Sequence, residues 1–71
     1  MTYVRKLENY NKLADDEFTG NYCGRLFIVK GQSLLNAFVR ADRHFNVPEN
    51  KLHHLVIDTG DGKFFDRFGL H

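Results

Sequence analysis

Between Leu26 and Leu70 the hydrophobic residues follow an order that restricts the fold: a short continuous apolar run, a helical stripe, then two runs of strand character. In the first run, Phe27 and Val29 share one face while Leu26 and Ile28 share the other, the pattern of a strand buried on both sides. The strand is assigned to residues 22–30, with Gly24 as a bulge or a close backbone approach. Gly31-Gln32-Ser33 ends it, and Ser33 is suited to cap a helix whose stripe is Leu34, Phe38, Ala41 and Phe45. Leu35 and Val39 broaden that stripe, and Asn36, Arg40 and Arg43 take the polar side. Asn46 tolerates the left-handed conformation that closes a helix, and Pro48 prevents continuation. A turn over residues 48–51 leads to a strand over 54–59, with Leu55 and Ile57 on one face and His54, Val56 and Asp58 on the other. Gly60-Asp61-Gly62 signals a hairpin into a last strand over 63–70. There Phe64, Asp66, Phe68 and Leu70 share a face opposite Phe65 and Arg67.

The N-terminal third is less defined. Tyr3, Leu7, Tyr10, Ala14 and Phe18 recur at helical spacing, with Leu13 beside them. Asp15, Asp16 and Glu17 would then stand at a helix C-terminus, where the macrodipole disfavours negative charge. The preferred reading is a helix over much of 8–16; the alternative is a short strand over 2–7 followed by a short helix. Thr19-Gly20-Asn21 reads as a turn.

Seventy-one residues make one domain. A domain of this size buries only about 60% of the surface its unfolded chain exposes. Folds this small commonly add a disulfide, a metal or a partner. With Cys23 the sole cysteine, no internal disulfide can form, and no set of zinc ligands at the usual spacing is present. A partner is the remaining source of stability, whether a second copy in a homodimer or another protein. Seven Phe and three Tyr supply both core area and interface character. No apolar run is long enough to span a membrane, and the first residues lack a signal-peptide core, so a cytoplasmic setting in a cell or host cell is expected. A net charge of +1 with mixed signs argues against a polyanion mimic and against tight nonspecific nucleic-acid binding, which needs a strong basic excess.

Val29, Gly31, Ser33, Ala37, Ala41, Val47, Val56, Ile57, Asp58 and Gly60, followed by Phe64, Phe68 and Gly69, resemble the Jag N-terminal domain. That domain is a small β-α-β-β module at the start of some bacterial RNA-binding proteins. The likeness spans residues 26–70 and places Phe65 where the closing motif has Leu. It departs at Asp61 and Gly62, where the family has paired lysines, and at Lys63 and Asp66, where it has glycines. Residues 1–22 have no counterpart in it. The resemblance implies a fold and a noncatalytic docking role, and does not in itself imply RNA binding.

Cys23 with His44, His53 or His54 lacks the spacing that brings a base and an oxyanion hole to a thiol, so it reads as a small packed hydrophobe. His53 and His54, placed next to each other on a strand, would point to opposite faces and could not share a metal. In a calcium loop begun at Asp58, Lys63 would take the sixth position and Gly69 the twelfth, where Gly and Glu are required. Neither a catalytic residue, a metal nor a cofactor is therefore assigned.

The sequence predicts an α+β domain: a three-stranded, mainly antiparallel sheet over 23–71 with one main helix on one face, and residues 1–22 packed on it as an added helix or strand. The expected function is noncatalytic protein binding, as an adaptor, an accessory subunit or a stoichiometric inhibitor of phage or mobile-element type. The residues assigned to it are Phe65, Arg67 and Phe68, with Asp66 for orientation. The alternative is RNA or single-stranded nucleic-acid binding through Lys30, Arg40, Arg43 and Lys51, with Tyr22 or Phe65 for stacking. A small enzyme is the third and weakest reading.

Overall fold

A computed structural model describes residues 3–7 and 13–70 of the chain. It is a small α+β domain built on a six-stranded antiparallel sheet with one main helix. The strands are β1 (Val4–Lys6), β2 (Glu17–Tyr22), β3 (Arg25–Lys30), β4 (Leu55–Asp58), β5 (Phe64–Asp66) and β6 (Gly69–Leu70), in the sheet order β1-β3-β2-β4-β5-β6. The helix α1 (Leu34–Phe45) joins β3 to β4, and a 3-10 helix (Glu49–His54) precedes β4. Because β2 is antiparallel to both β3 and β4, those two strands run parallel with β2 between them.

The expected three strands become six for identifiable reasons. Residues 17–22 are not an appendage on a core that begins at residue 23: β2 lies at the centre of the sheet, paired with β3 along its whole length and with β4 over three residues. Thr19-Gly20-Asn21 is thus strand, and the turn falls at Cys23-Gly24, between the paired residues Tyr22 and Arg25. Both turn residues have positive φ, 51° at Cys23 and 84° at Gly24, the backbone twist that a two-residue hairpin requires. The Asn21 side chain accepts the Gly24 N–H at 3.0 Å. Gly24 is therefore a turn residue, not a bulge. Of the N-terminal alternatives, β1 agrees with the strand; the expected helix lies outside the described residues over 8–12, and 13–16 form loop and turn. The last predicted strand is broken at Arg67-Phe68, where the chain turns back so that β5 pairs with β6.

The helix forms as its sequence dictates. Ser33 Oγ accepts the Asn36 N–H at 3.1 Å, and Asn36 Oδ1 accepts the Gln32 N–H at 3.0 Å, so one amide of the first turn and the amide just before the cap are both satisfied. Asn46 closes the helix at φ 50°, with Asn46 N–H to Arg43 and Val47 N–H to Asp42, each at 3.3 Å. The buried stripe is Ala37, Phe38 and Ala41; Leu35, expected to broaden it, points to solvent.

That stripe packs on Phe27, Val29, Leu55 and Ile57, all but fully buried, with Val4 at the edge. Each large apolar side chain so buried contributes about 1.5–3 kcal/mol. The interior depends on one close approach. Gly20 lies opposite Phe27, and a Cβ there would touch the Phe27 ring, 2.7 Å from Cε2, and stand 2.8 Å from the Val56 carbonyl oxygen. The missing side chain on β2 is the space the Phe27 ring fills. Phe45 completes this corner, its centroid 5.0 Å from Phe27 and 5.3 Å from Tyr22.

Candidate functional site

One helix covers one face of a sheet. The strand registers place Arg5, Glu17, Thr19, Asn21, Leu26, Ile28, Val56 and Phe64 on the other face. This open face has two halves. At the β1 end, Arg5 and Glu17 reach across β3 to each other and cover the neighbourhood of Ile28, which is fully buried. At the other end is a groove of about 500 Å³ lined by Leu7, Thr19, Leu26, Val56, Lys63 and Phe64. Leu26 is 55% and Phe64 44% exposed, so apolar area stands in water beside a sheet too small to hide it.

The four residues assigned to docking from sequence do not form one surface. Phe65 faces the helix, half-buried, with its ring edge-on to Phe38 at 5.7 Å. Phe65 is on the inner side of the last strand because Ile57, its partner on β4, is in the core. Asp66 is buried, and its Oδ1 accepts the Phe68 N–H at 2.8 Å, which fixes the β5–β6 turn. Arg67 and Phe68 sit at the tip of that turn, the guanidinium 5.4 Å from the ring and Phe68 72% exposed. Leu26, Val56 and Phe64 were not assigned to docking. The first predicted strand reads as buried on both faces, but a single helix covers only one, so on the other Ile28 is buried and Leu26 is exposed.

The basic residues separate in a similar way. Lys30 pairs with Asp16 at 3.6 Å, and its carbonyl accepts Arg40 Nη1 at 2.8 Å. The Arg40 guanidinium also stacks 3.7 Å over the Tyr3 ring. Arg43 lines the same crevice between α1 and β1 as Arg40 and Tyr3. Lys51 is on the 3-10 helix, which packs on β4 and β5 at the opposite side of the sheet. Arg40 and Arg43 thus share a crevice, whereas Lys30 meets Arg40 only through its backbone carbonyl and Lys51 is remote.

Cys23 is exposed in the β2–β3 turn. The Tyr22 hydroxyl is pushed above its usual range, first by burial and then by the neighbouring thiol. His53 and His54 are not on a strand as expected; in the 3-10 helix their rings stack at 4.0 Å. Among the described residues no three His, Cys, Asp or Glu side chains gather as a metal site. The acidic loop after β4 is occupied with its own turn. Asp58 Oδ1 accepts the Gly60 N–H at 2.8 Å, and Thr59 Oγ1 donates to the Asp61 carboxylate, whose acidity is increased by that bond above all. No helix among the described residues is long and apolar enough to cross a membrane.

Comparison of the chain with family models, with curated proteins and with solved structures finds no match in any of the three.

Proposed function

We propose that the chain is a noncatalytic protein-binding module that docks through the open face of its sheet, in the manner of an adaptor, an accessory subunit or a stoichiometric inhibitor. The observation that carries this reading is the groove at which Leu26 stands 55% exposed beside Val56, with no covering layer over either among the described residues. An antiparallel sheet with one solvated face ordinarily presents polar residues there. Burying this surface against a partner removes apolar area from water at roughly 25 cal/mol per Å². The Phe68-Arg67 tip adds an exposed aromatic and a cation, the residue types enriched where interfaces concentrate their energy.

A nucleic-acid reading has less support. Of the basic residues first assigned to it, Lys30 is paired, Arg40 is already stacked, and Lys51 is remote.

The test is affinity capture from nuclease-treated lysate of the source cell, comparing wild type with Leu26→Ser/Phe64→Ser. The double variant is expected to keep its thermal transition and to lose the captured protein. Equal capture by both proteins would remove the open face from consideration.

A further inference from the structure

A second surface lies in the crevice between β1 and α1. It runs along the helix side of β1 as two adjoining grooves that share Val4 and His44. Among the described residues lining them, every charged side chain is cationic, including Lys6, Arg25, Arg40 and Arg43. None of those four makes an ion pair with a described residue. In a chain whose charges nearly balance, this segregation is the informative fact. Arg43 and His44 alone could be read as answering the helix C-terminal dipole. Lys6 alone could be read as guarding an edge strand from aggregation. Arg25, at the start of β3, has neither explanation, and it faces the same crevice.

The same crevice borders a free sheet edge. β1 is the first strand in the sheet, and among the described residues nothing pairs with its outer side. The Tyr3 carbonyl accepts the Lys30 N–H at 2.8 Å, and the Leu7 N–H donates to the Leu26 carbonyl at 3.4 Å. In an antiparallel ladder these bonds alternate, so Val4 and Lys6 direct their N–H and C=O groups outward.

We propose that this edge takes an extended acidic segment of a partner protein, which adds as a further strand to β1 with its acidic side chains under Lys6, Arg25 and Arg43. Backbone pairing along the edge gives affinity, and the cationic overhang of α1 selects side chains and register. The free edge favours a peptide over a nucleic acid, because only a peptide backbone repeats N–H and C=O groups at the spacing of a strand edge. The aromatic faces nearby are also taken: Tyr3 lies under Arg40, and Phe45 packs on Tyr22, Phe27 and His44, so bases find no platform for stacking. This site borders the open-face groove at Leu7 and Leu26, but its cations and its free strand edge are not part of that groove.

The experiment is a titration of the isotopically labelled full chain, followed through its backbone amide resonances, with an end-blocked octapeptide of alternating Glu and Thr. Three comparison probes are the Lys-Thr peptide, the Glu-Thr peptide with alternate backbone nitrogens methylated, and an oligothymidylate. Saturable binding of the Glu-Thr peptide is expected, with shifts centred on Val4, Lys6, Arg43 and His44. The methylated peptide keeps every charge but cannot pair, and should bind at least about tenfold more weakly, a difference of about 1.4 kcal/mol. Lys6→Glu/Arg43→Glu should abolish binding, and Val56→Ser/Phe64→Ser, at residues that line only the open-face groove, should leave it unchanged, which separates this site from the open face. Equal binding of the methylated peptide would reduce the site to a nonspecific cationic patch and overturn the proposal. Tighter binding of the oligothymidylate at the same amides would assign it to nucleic acid instead. Concentration-dependent shifts of the same amides without any probe would assign the edge to a second copy of the chain.

Discussion

Arg5 and Glu17 sit on strands that flank β3 from opposite sides, yet their side chains meet over it, Nη2 lying 3.2 Å from each carboxylate oxygen and Nε 3.3 Å from Oε2. The pair passes beside Ile28, the fully buried residue of the open face. Glu17 also accepts the Ala14 N–H at 2.9 Å, which ties the preceding loop to the same carboxylate.

These bonds give a pH dependence of defined sign. The Ala14 amide, foremost, and the Arg5 guanidinium hold Glu17 below its ordinary value of 4.5. A carboxylate with a lowered folded pKa contributes stability in full above its unfolded value and loses it as pH falls through the folded one. Wild-type stability should therefore fall as pH drops below about 4.5, and Glu17→Gln should flatten that part of the profile. The two proteins should differ most at neutral pH and converge in acid. The ion pair itself is largely solvent-screened and should be worth about 1 kcal/mol or less. Denaturant midpoints measured from pH 3 to 7 would check this; parallel profiles for the two proteins would refute it.

Gly20 should be among the least replaceable residues. Its absent Cβ makes room for the Phe27 ring, and the Val56 carbonyl oxygen closes the other side. Gly20→Ala forces the ring or the backbone aside, at about 1–3 kcal/mol. In a Phe27→Leu background the ring is gone, and the added cost of Gly20→Ala should shrink. A double-mutant cycle from urea unfolding measures this coupling. Additive effects would mean that the ring and the glycine are independent.

Cys23 is an unfavourable residue at a position with φ 51°. Asn adopts that conformation readily, and Asn-Gly is the preferred pair in two-residue hairpin turns. Cys23→Asn should stabilise the domain by about 0.5–1 kcal/mol and raise its melting temperature by several degrees. Because the thiol disappears with it, the same variant tests the enzyme reading: no binding activity of the protein should depend on Cys23. A lower melting temperature would show that the thiol packs in a way its exposure does not suggest.

How far the sequence revealed this fold depended on how much each segment's periodicity was supported by local chemistry. The helix from Ser33 to Asn46 was legible because a stripe, a cap at each end and a following proline all agreed. The hairpin from β4 to β5 was legible from its glycines. β2 was not, because Gly20 and Asn21 carry turn chemistry, and the reason for Gly20 is a ring from the next strand, a long-range contact that no local pattern encodes. The open face was not legible either: Leu26 reads as part of a strand buried on both sides, and the phenylalanine cluster is divided by the β5–β6 turn, which alternation along a single strand does not signal.

That divergence makes Phe65 and Phe68 a decisive pair. Phe65 packs edge-on against Phe38 under the helix, whereas Phe68 stands in water at a turn held by Asp66. Phe65→Ala should cost about 2–3 kcal/mol, below the range for a fully buried phenylalanine because the ring is only half-covered. Phe68→Ala should change stability by no more than about 0.5 kcal/mol. If Phe68 belongs to the docking surface, its replacement weakens partner capture while the melting temperature stays put. Any loss of capture in Phe65→Ala should instead track the loss of folded protein and return on cooling or on adding a stabilising osmolyte. Measuring capture and melting temperature side by side for the two variants distinguishes a contact residue from a core residue. An unstable Phe68→Ala with normal capture would reverse the assignment and place the function of this turn in the fold alone.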